Sequence, residues 1–150
     1  PLGNGKFTLT DAEDSSRVNE HLCLLHKGGY AFATVGKRRL YLHRFLLGLQ
    51  HGDGPGDHIN RNRLDNRKAN LRAATNAKNR YNESKRFAPS TTSAFKGVSF
   101  RPRLGKWIAR IQKHRKQSHL GVFGNERAAA AAYNTAAKTL FGAFASLNEV

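Results

Sequence analysis

Three runs in the last third of the chain, FKGVSFR (95–101), KWIARIQK (106–113) and QSHLGVF (117–123), each alternate apolar and polar residues, and only PRLG and HRK separate them. Alternation with period two sends one set of side chains to each face of a strand, and breaks this short permit only antiparallel neighbours. The next segment, NERAAAAAYNTAAKTLFG, changes period: Ala129, Ala132, Tyr133, Ala136, Ala137, Leu140 and Phe141 form a helical stripe, with Asn125 placed to cap it and Gly142 to stop it. The order is therefore β-β-β-α, with alanines that let the helix lie close on the sheet.

Parity divides the expected sheet into two faces. Val98, Phe100, Trp107, Ala109, Ile111, Leu120 and Val122 should meet the helix. The other face collects Ser99, Arg101, Ile108, Arg110, Gln112, Gln117 and His119, with Arg103 and Lys106 at a turn, and it holds one apolar residue and no acid. A donor-rich twisted sheet can enter a major groove, where arginine forks match guanine and glutamine matches adenine. Plain solvation would also make a strand face polar, but the chain carries 26 basic against 10 acidic residues, a formal +16, with the excess greatest after residue 92. Such a balance points to a polyanionic partner. On the helix, Arg127 and Lys138 read as ordinary solvated residues.

At these residues the chain resembles a known family. FKGVSFRPRLGKW, HLGVF, AAAAAYNTAAKTLFG and ASLN together look like an AP2/ERF-type DNA-binding domain over about 55 residues. The resemblance implies a three-stranded sheet laid in the major groove of double-stranded DNA with a helix behind it, and adds Lys96 to the contacting residues. Lys96 and Ser99 stand where that family often has arginines, Arg110 where it has an acid, Gln112 where it has arginine and His119 where it has tryptophan. The docking mode should carry over and the target sequence should not.

Upstream, KFTLT (6–10) alternates like a short strand, and TDAEDSSRVNEHLCLL reads as a helix capped by Thr10 or Asp11 with acids in its first turn. GGYAFATVGKRRLYL reads as a hairpin turning at Gly36-Lys37 and opening into HRFLLGL. Gly52, Gly54, Pro55 and Gly56 then break the chain, and ESKRFAPSTTS (83–93) is polar and without apolar periodicity. The expected organisation is an α+β chain with a first module over 1–82, a linker over 83–93 and a second module over 94–150.

Between the hairpin and the linker lies GDHINRNRLDNRKANLRAATNAKN (56–79), with an Asp-His pair amid arginines and asparagines. Hydrolysing a phosphodiester requires a base to activate water and a cation to offset charge on the phosphate and the departing oxygen. Asp57 and His58 can supply a cation ligand and a base as neighbours that point to opposite faces of a strand. Mg²⁺ prefers oxygen and often uses one or two protein ligands, so an asparagine carbonyl from Asn70, Asn76, Asn79 or Asn82 would serve beside the aspartate.

A second resemblance falls here: LHRFLLGL followed by this stretch is similar to the HNH nuclease motif in its cysteine-free branch, typical of homing endonucleases. It implies a ββα-metal site with His58 as general base, Asp57 as metal ligand, Asn70 of Asn-Leu-Arg as the asparagine that orients the loop, and Asn79 as second metal ligand, at spacings of 12 and 9 residues. It also implies 5′-phosphate and 3′-hydroxyl products. Asn79 stands where the motif's last histidine would be, which favours Mg²⁺ or Mn²⁺ over zinc. With Cys23 the single cysteine, no structural zinc is expected. Arg61, Arg63, Arg67, Lys68, Arg72, Lys78 and Arg80 are placed to neutralise flanking phosphates. Asn62 and Asn66 read as turn residues, and His43 as a packed histidine with a second reading as a builder of the site.

The combined expectation is a metal-dependent, site-directed DNA endonuclease, soluble and intracellular, since PLGNGKF has no apolar signal core and no run is long enough to span a membrane. Two competitors remain: an AP2-type DNA binder whose nuclease module has decayed, and a structural RNA-binding protein. The target sequence, one-strand or two-strand cleavage, and monomer or dimer on DNA stay open.

Overall fold

The computed structural model describes residues 1–3, 5–85 and 87–150; Asn4 and Arg86, the latter within the expected linker, lie outside the described residues. By contact the chain divides into Pro1–Asn79 and Arg80–Val150.

In the first unit a 3-10 turn, Ala12–Asp14, leads into a short helix α1 (Ser15–Asn19), with Glu13 and Asp14 in the opening turn. The expected helix stops there. LCLL becomes strand β1 (Leu22–Leu25), paired antiparallel with β2 (Ala31–Val35), so that Cys23 faces Ala33 and Leu24 faces Phe32. Helix propensity is a weak preference, and a strand beside β2 gives the backbone of LCLL its hydrogen-bond partners while packing Cys23 on the core. The hairpin continues as expected from β2 into β3 (Arg38–Tyr41), turning at Gly36 with a φ of 60°. KFTLT makes no strand. It contributes a single parallel bridge, Leu9 with Asp65, where Leu9 N donates to Leu64 O (2.8 Å) and Asn66 N donates to Leu9 O (2.8 Å).

Helix α2 (Leu42–Leu46) follows β3 directly and buries Leu42 and Leu46 against Ala31, Ala33, Val18 and Leu71. That core positions the next elements: β4 (Gly56–His58) and β5 (Leu71–Ala73), antiparallel with Asp57 opposite Arg72 and His58 opposite Leu71, then α3 (Asn76–Asn82). Two strands followed by a helix is the arrangement expected for 56–79.

The second unit holds β6 (Val98–Arg101), β7 (Lys106–Lys113), β8 (Lys116–Phe123) and α4 (Glu126–Phe141), the three strands forming one antiparallel sheet. Asn125 caps α4 by accepting from Arg127 N and Ala128 N, and Gly142 ends it. Ala129, Ala130, Tyr133 and Ala137 are buried beneath the sheet, packed with Val98, Ala109 and Ile111. Small residues set this distance. Gly97 has a φ of 76°, and a Cβ there would lie 2.1 Å from Tyr133 Cδ2 and 2.5 Å from Arg110 O.

The parity expectation fails at one place. Ala109 pairs with Gly121 but Arg110 pairs with His119, so Leu120 is an extra residue and the faces of β8 exchange there. Val122 therefore lies opposite Ile108 and is 50 % exposed, while Phe123 takes the inward place beside Trp107.

Asn148 ties the chain after α4 to both layers. Its side chain accepts from Lys96 N (2.6 Å) and donates to Lys96 O (3.1 Å), while its backbone exchanges two hydrogen bonds with the Asn134 amide. Residues of the expected linker pack within this unit: Ser93 Oγ lies 2.6 Å from Glu126 Oε1, and Lys85 Nζ donates to Phe95 O and Val98 O. No helix among the described residues is long and apolar enough to cross a membrane.

Candidate active site

Asp57 and His58 are both buried in β4. Arg72, opposite on β5, donates from Nε (2.8 Å) and stands with Nη2 at 2.7 Å, both to Asp57 Oδ2. The expected phosphate contact at Arg72 thus gives way to a cross-strand ion pair that fixes the carboxylate, because antiparallel partners hold their side chains within reach.

The loop between the strands folds back on Asn70, which is buried. Its Oδ1 accepts from Asn60 N (2.8 Å), its Nδ2 donates to Asp65 O (2.7 Å), and its main-chain O accepts from Ile59 N (2.8 Å). One side chain thereby closes both ends of the loop. Asp65 adds a second brace: its carboxylate accepts from Arg67 Nε (2.7 Å) and Nη2 (2.8 Å) and from Asn60 Nδ2 (2.9 Å), and the Arg67 guanidinium brings its pKa down to about 2. Asn62 is a turn residue, accepting from Leu64 N.

Asn66 is different from the turn residue expected of it. It is 1 % exposed, and its Oδ1 lies 3.1 Å from His58 Nε2. On the other side His58 meets His43, ring centroids 4.9 Å apart and edge to face, with Tyr30 against both rings and Tyr41 stacked on His43. Gly56 leaves room for this: a Cβ there would fall 2.5 Å from His43 Cδ2. Burial pushes the His43 imidazole down to about 3, reinforced by the neighbouring His58 ring, whose protonation would compete with its own, and by the Arg44 guanidinium. Burial also lowers His58, opposed by the Asn66 hydrogen bond and the carboxylates of Asp57 and Asp65. Both histidines are uncharged at neutral pH. Tyr30 could not be found from spacing alone, since His58 lies far from it in sequence, and Asn66 could not because its side chain also depends on Thr8, 58 residues away.

Asn79 sits half-buried in α3, its N donating to Thr75 O (2.9 Å). Among the flanking cations, Arg63 donates to Gly28 O (2.6 Å) and lies over the Tyr30 ring, Arg67 holds Asp65, and Lys68 holds Glu13 and Asp14. Arg61, Lys78 and Arg80 are exposed.

On the sheet, Ser99, Ile108 and Val122 lie in one row across the strands, Arg101 pairs with Lys106, Arg110 with His119 and Gln112 with Gln117. All project to the face away from α4, and the bulge keeps the β8 members with them. Ile108 is 6 % exposed. Arg101, Lys106, Gln112, Gln117 and His119 are exposed, as is Arg103 in the turn Pro102–Leu104. Lys96 is not part of this face: its Nζ donates to Tyr81 O (2.9 Å) and Glu83 O (2.5 Å), so its charge is spent on main-chain carbonyls.

A two-strand-and-helix module with a buried Asp-His pair and an asparagine-closed loop defines a class of metal-dependent nuclease. The family model for HNH endonucleases matches residues 40–81, which include that module. An HNH endonuclease of Acanthamoeba polyphaga mimivirus is 32 % identical over 154 residues, spanning 99 % of this chain and 78 % of the relative. The chain belongs to the HNH endonuclease family, hydrolases that cut DNA with the help of divalent metal ions. A further match, 40 % identical over 68 residues, is an AP2-like ethylene-responsive transcription factor of Arabidopsis thaliana; it covers 45 % of this chain and 14 % of that protein.

Proposed function

We propose that the chain cuts double-stranded DNA at chosen sites, with His58 activating the attacking water, Asp57 and Asn79 holding Mg²⁺ or Mn²⁺, and the sheet β6-β7-β8 reading the major groove as an AP2-type domain does. The observation that carries the cutting reading is the placement of Asp57 and His58 as consecutive buried residues of β4, the carboxylate fixed by Arg72 and the imidazole by Asn66.

The donor set suits the cation: a carboxylate and an amide carbonyl are hard oxygen ligands, and Mg²⁺ commonly keeps several waters besides one or two such groups. When bound, it would offset charge on the scissile phosphate and the departing 3′ oxygen. His58, uncharged because it is buried, is ready to take a proton from water. Asn70 keeps the loop closed around it, and Arg72 keeps Asp57 from turning away. Arg61, Lys78 and Arg80 would meet neighbouring phosphates and set register without reading bases; Arg63 and Arg67 act by bracing the loop.

The reading half is supported by a row of basic and amide groups on one face of the sheet. Arg101 and Lys106 stand directly opposite one another, an arrangement that destabilises a bare ribbon and is relieved by an anion. The AP2-like relative supports the same assignment. We place the nuclease module in 1–82 and the reader in 94–150, joined through 83–93.

Cleavage of a random-sequence duplex library with end mapping tests both halves. With Mg²⁺, a consensus and a fixed cut position emerge, and EDTA abolishes cutting. A consensus that is bound yet never cut under Mg²⁺ or Mn²⁺ would make the chain an inactive AP2-type binder, and preference for structured RNA would overturn both halves. On the selected site, Arg101→Ala and Arg110→Ala each weaken binding by about 1–3 kcal/mol while sparing non-specific duplex. Equal loss on every sequence would reduce these residues to phosphate contacts.

A further inference from the structure

Thr8, Asn66 and His58 form a run of hydrogen bonds whose directions can be worked out from its far end. Thr8 Oγ1 lies 2.9 Å from Leu64 O, a carbonyl that can only accept, so the hydroxyl proton is given there. At its other side, 2.8 Å from the Asn66 amide, Thr8 is left to accept, so the group facing it is the amide Nδ2. The Arg63 carbonyl, 3.4 Å from the same Nδ2, requires a donor there too. The opposite end of the amide is then Oδ1, which also can only accept, and it faces His58 Nε2 at 3.1 Å. Nε2 must carry the ring proton, and in a neutral imidazole that places the basic lone pair on Nδ1.

We infer that Asn66 and Thr8 are positioning residues for the nuclease, selecting the His58 tautomer in which Nδ1 is the basic nitrogen and holding the ring in one orientation. The relay is buried, with Asn66 1 % and His58 4 % exposed, so water does not compete for the amide. A buried amide turned the other way would set its Oδ1 against the Thr8 oxygen and the Arg63 carbonyl, both acceptors, and lose both bonds, a cost that keeps the relay in one sense. Thr8 is itself located by the main-chain bonds of Leu9 to Leu64 and Asn66. It lies before residues 40–81, so a residue outside the family-matched segment sets the state of one inside it. The function of the relay rests on the reading of His58 as general base: the proton leaving water would go to Nδ1, while Nε2 keeps its own.

The test is ¹⁵N NMR of the histidine rings in the full chain without metal, with the His58 signals assigned by their loss in His58→Gln. We expect wild type and Asn66→Asp, which retains an acceptor at that position, to show Nε2 protonated and Nδ1 bare. Asn66→Leu should populate the other tautomer, and Thr8→Val, a gentler change of nearly the same shape, should do so partially. In cleavage assays Asn66→Leu should lower kcat about tenfold to a hundredfold with KM for duplex unchanged, with Asn66→Asp retaining the greater rate. A proton on Nδ1 in wild type, or an unchanged tautomer in both Asn66→Leu and Thr8→Val, overturns the inference. Should the tautomers behave as stated while His58→Gln still cuts DNA, the relay stands and the assignment of His58 as base falls.

Discussion

Alanine at position 58 should abolish productive cleavage, lowering the rate on plasmid DNA by about 10²–10⁴-fold, and should leave binding to duplex unchanged. In the proposed mechanism the imidazole accepts the proton beside Asp57, whereas duplex binding is assigned to the sheet β6-β7-β8. His58 is buried against His43 and Tyr30, so truncation opens a cavity; His58→Gln, which fills more of the space, separates loss of the base from loss of packing. Both variants should be inactive with thermal unfolding close to wild type for glutamine. Metal-dependent cutting by either purified variant would reject His58 as the base.

Gly97→Ala is the change expected to cost most stability in the second unit, about 3 kcal/mol. Two effects add: the φ of 76° disfavours any side chain, and the new methyl would meet the Tyr133 ring and the Arg110 carbonyl. The ring could shift, but the carbonyl cannot readily do so, because Arg110 N also donates to Gly97 O (2.8 Å) and holds the two backbones together. Urea unfolding followed through the fluorescence of Trp107, the single tryptophan, should show the midpoint lowered; an unchanged midpoint would mean the close approach is not needed. Site-directed binding should fail at temperatures where the sheet has melted.

The parts of the fold legible in the sequence are those whose information is local. The alternation of KWIARIQK and the cap-to-stop spacing from Asn125 to Gly142 each specify an element by period and punctuation, and both elements are found where expected. LCLL was ambiguous, four apolar residues that suit helix or strand, and its partner β2 decided. Val122 is the subtler case. The alternation of QSHLGVF is unbroken, so a bulge that exchanges the faces at Leu120 leaves no trace except Gly121, whose φ of 144° sits beside it.

The candidate site divides the same way. The spacing of Asp57, His58 and Asn70 is written in a short stretch, and all three are buried where strand and loop meet. Asn66 looked like any asparagine in a turn because its role depends on Thr8, 58 residues away. Arg72 looked like a phosphate ligand, and Lys96 like a DNA contact of the sheet, because a sequence records charge but not the carboxylate or carbonyls that already hold it.

The strap before the first helix has a bearing on how such nucleases can be dissected or recombined. Leu9 bridges to Asp65, Asp11 Oδ2 accepts from Lys68 N, and Glu13 and Asp14 hold the Lys68 ammonium, so the loop of the motif is laced from outside by a segment some fifty residues upstream. The recognisable motif is therefore not a portable cassette: transplanted as 40–81, it would arrive with its letters intact and its lacing cut.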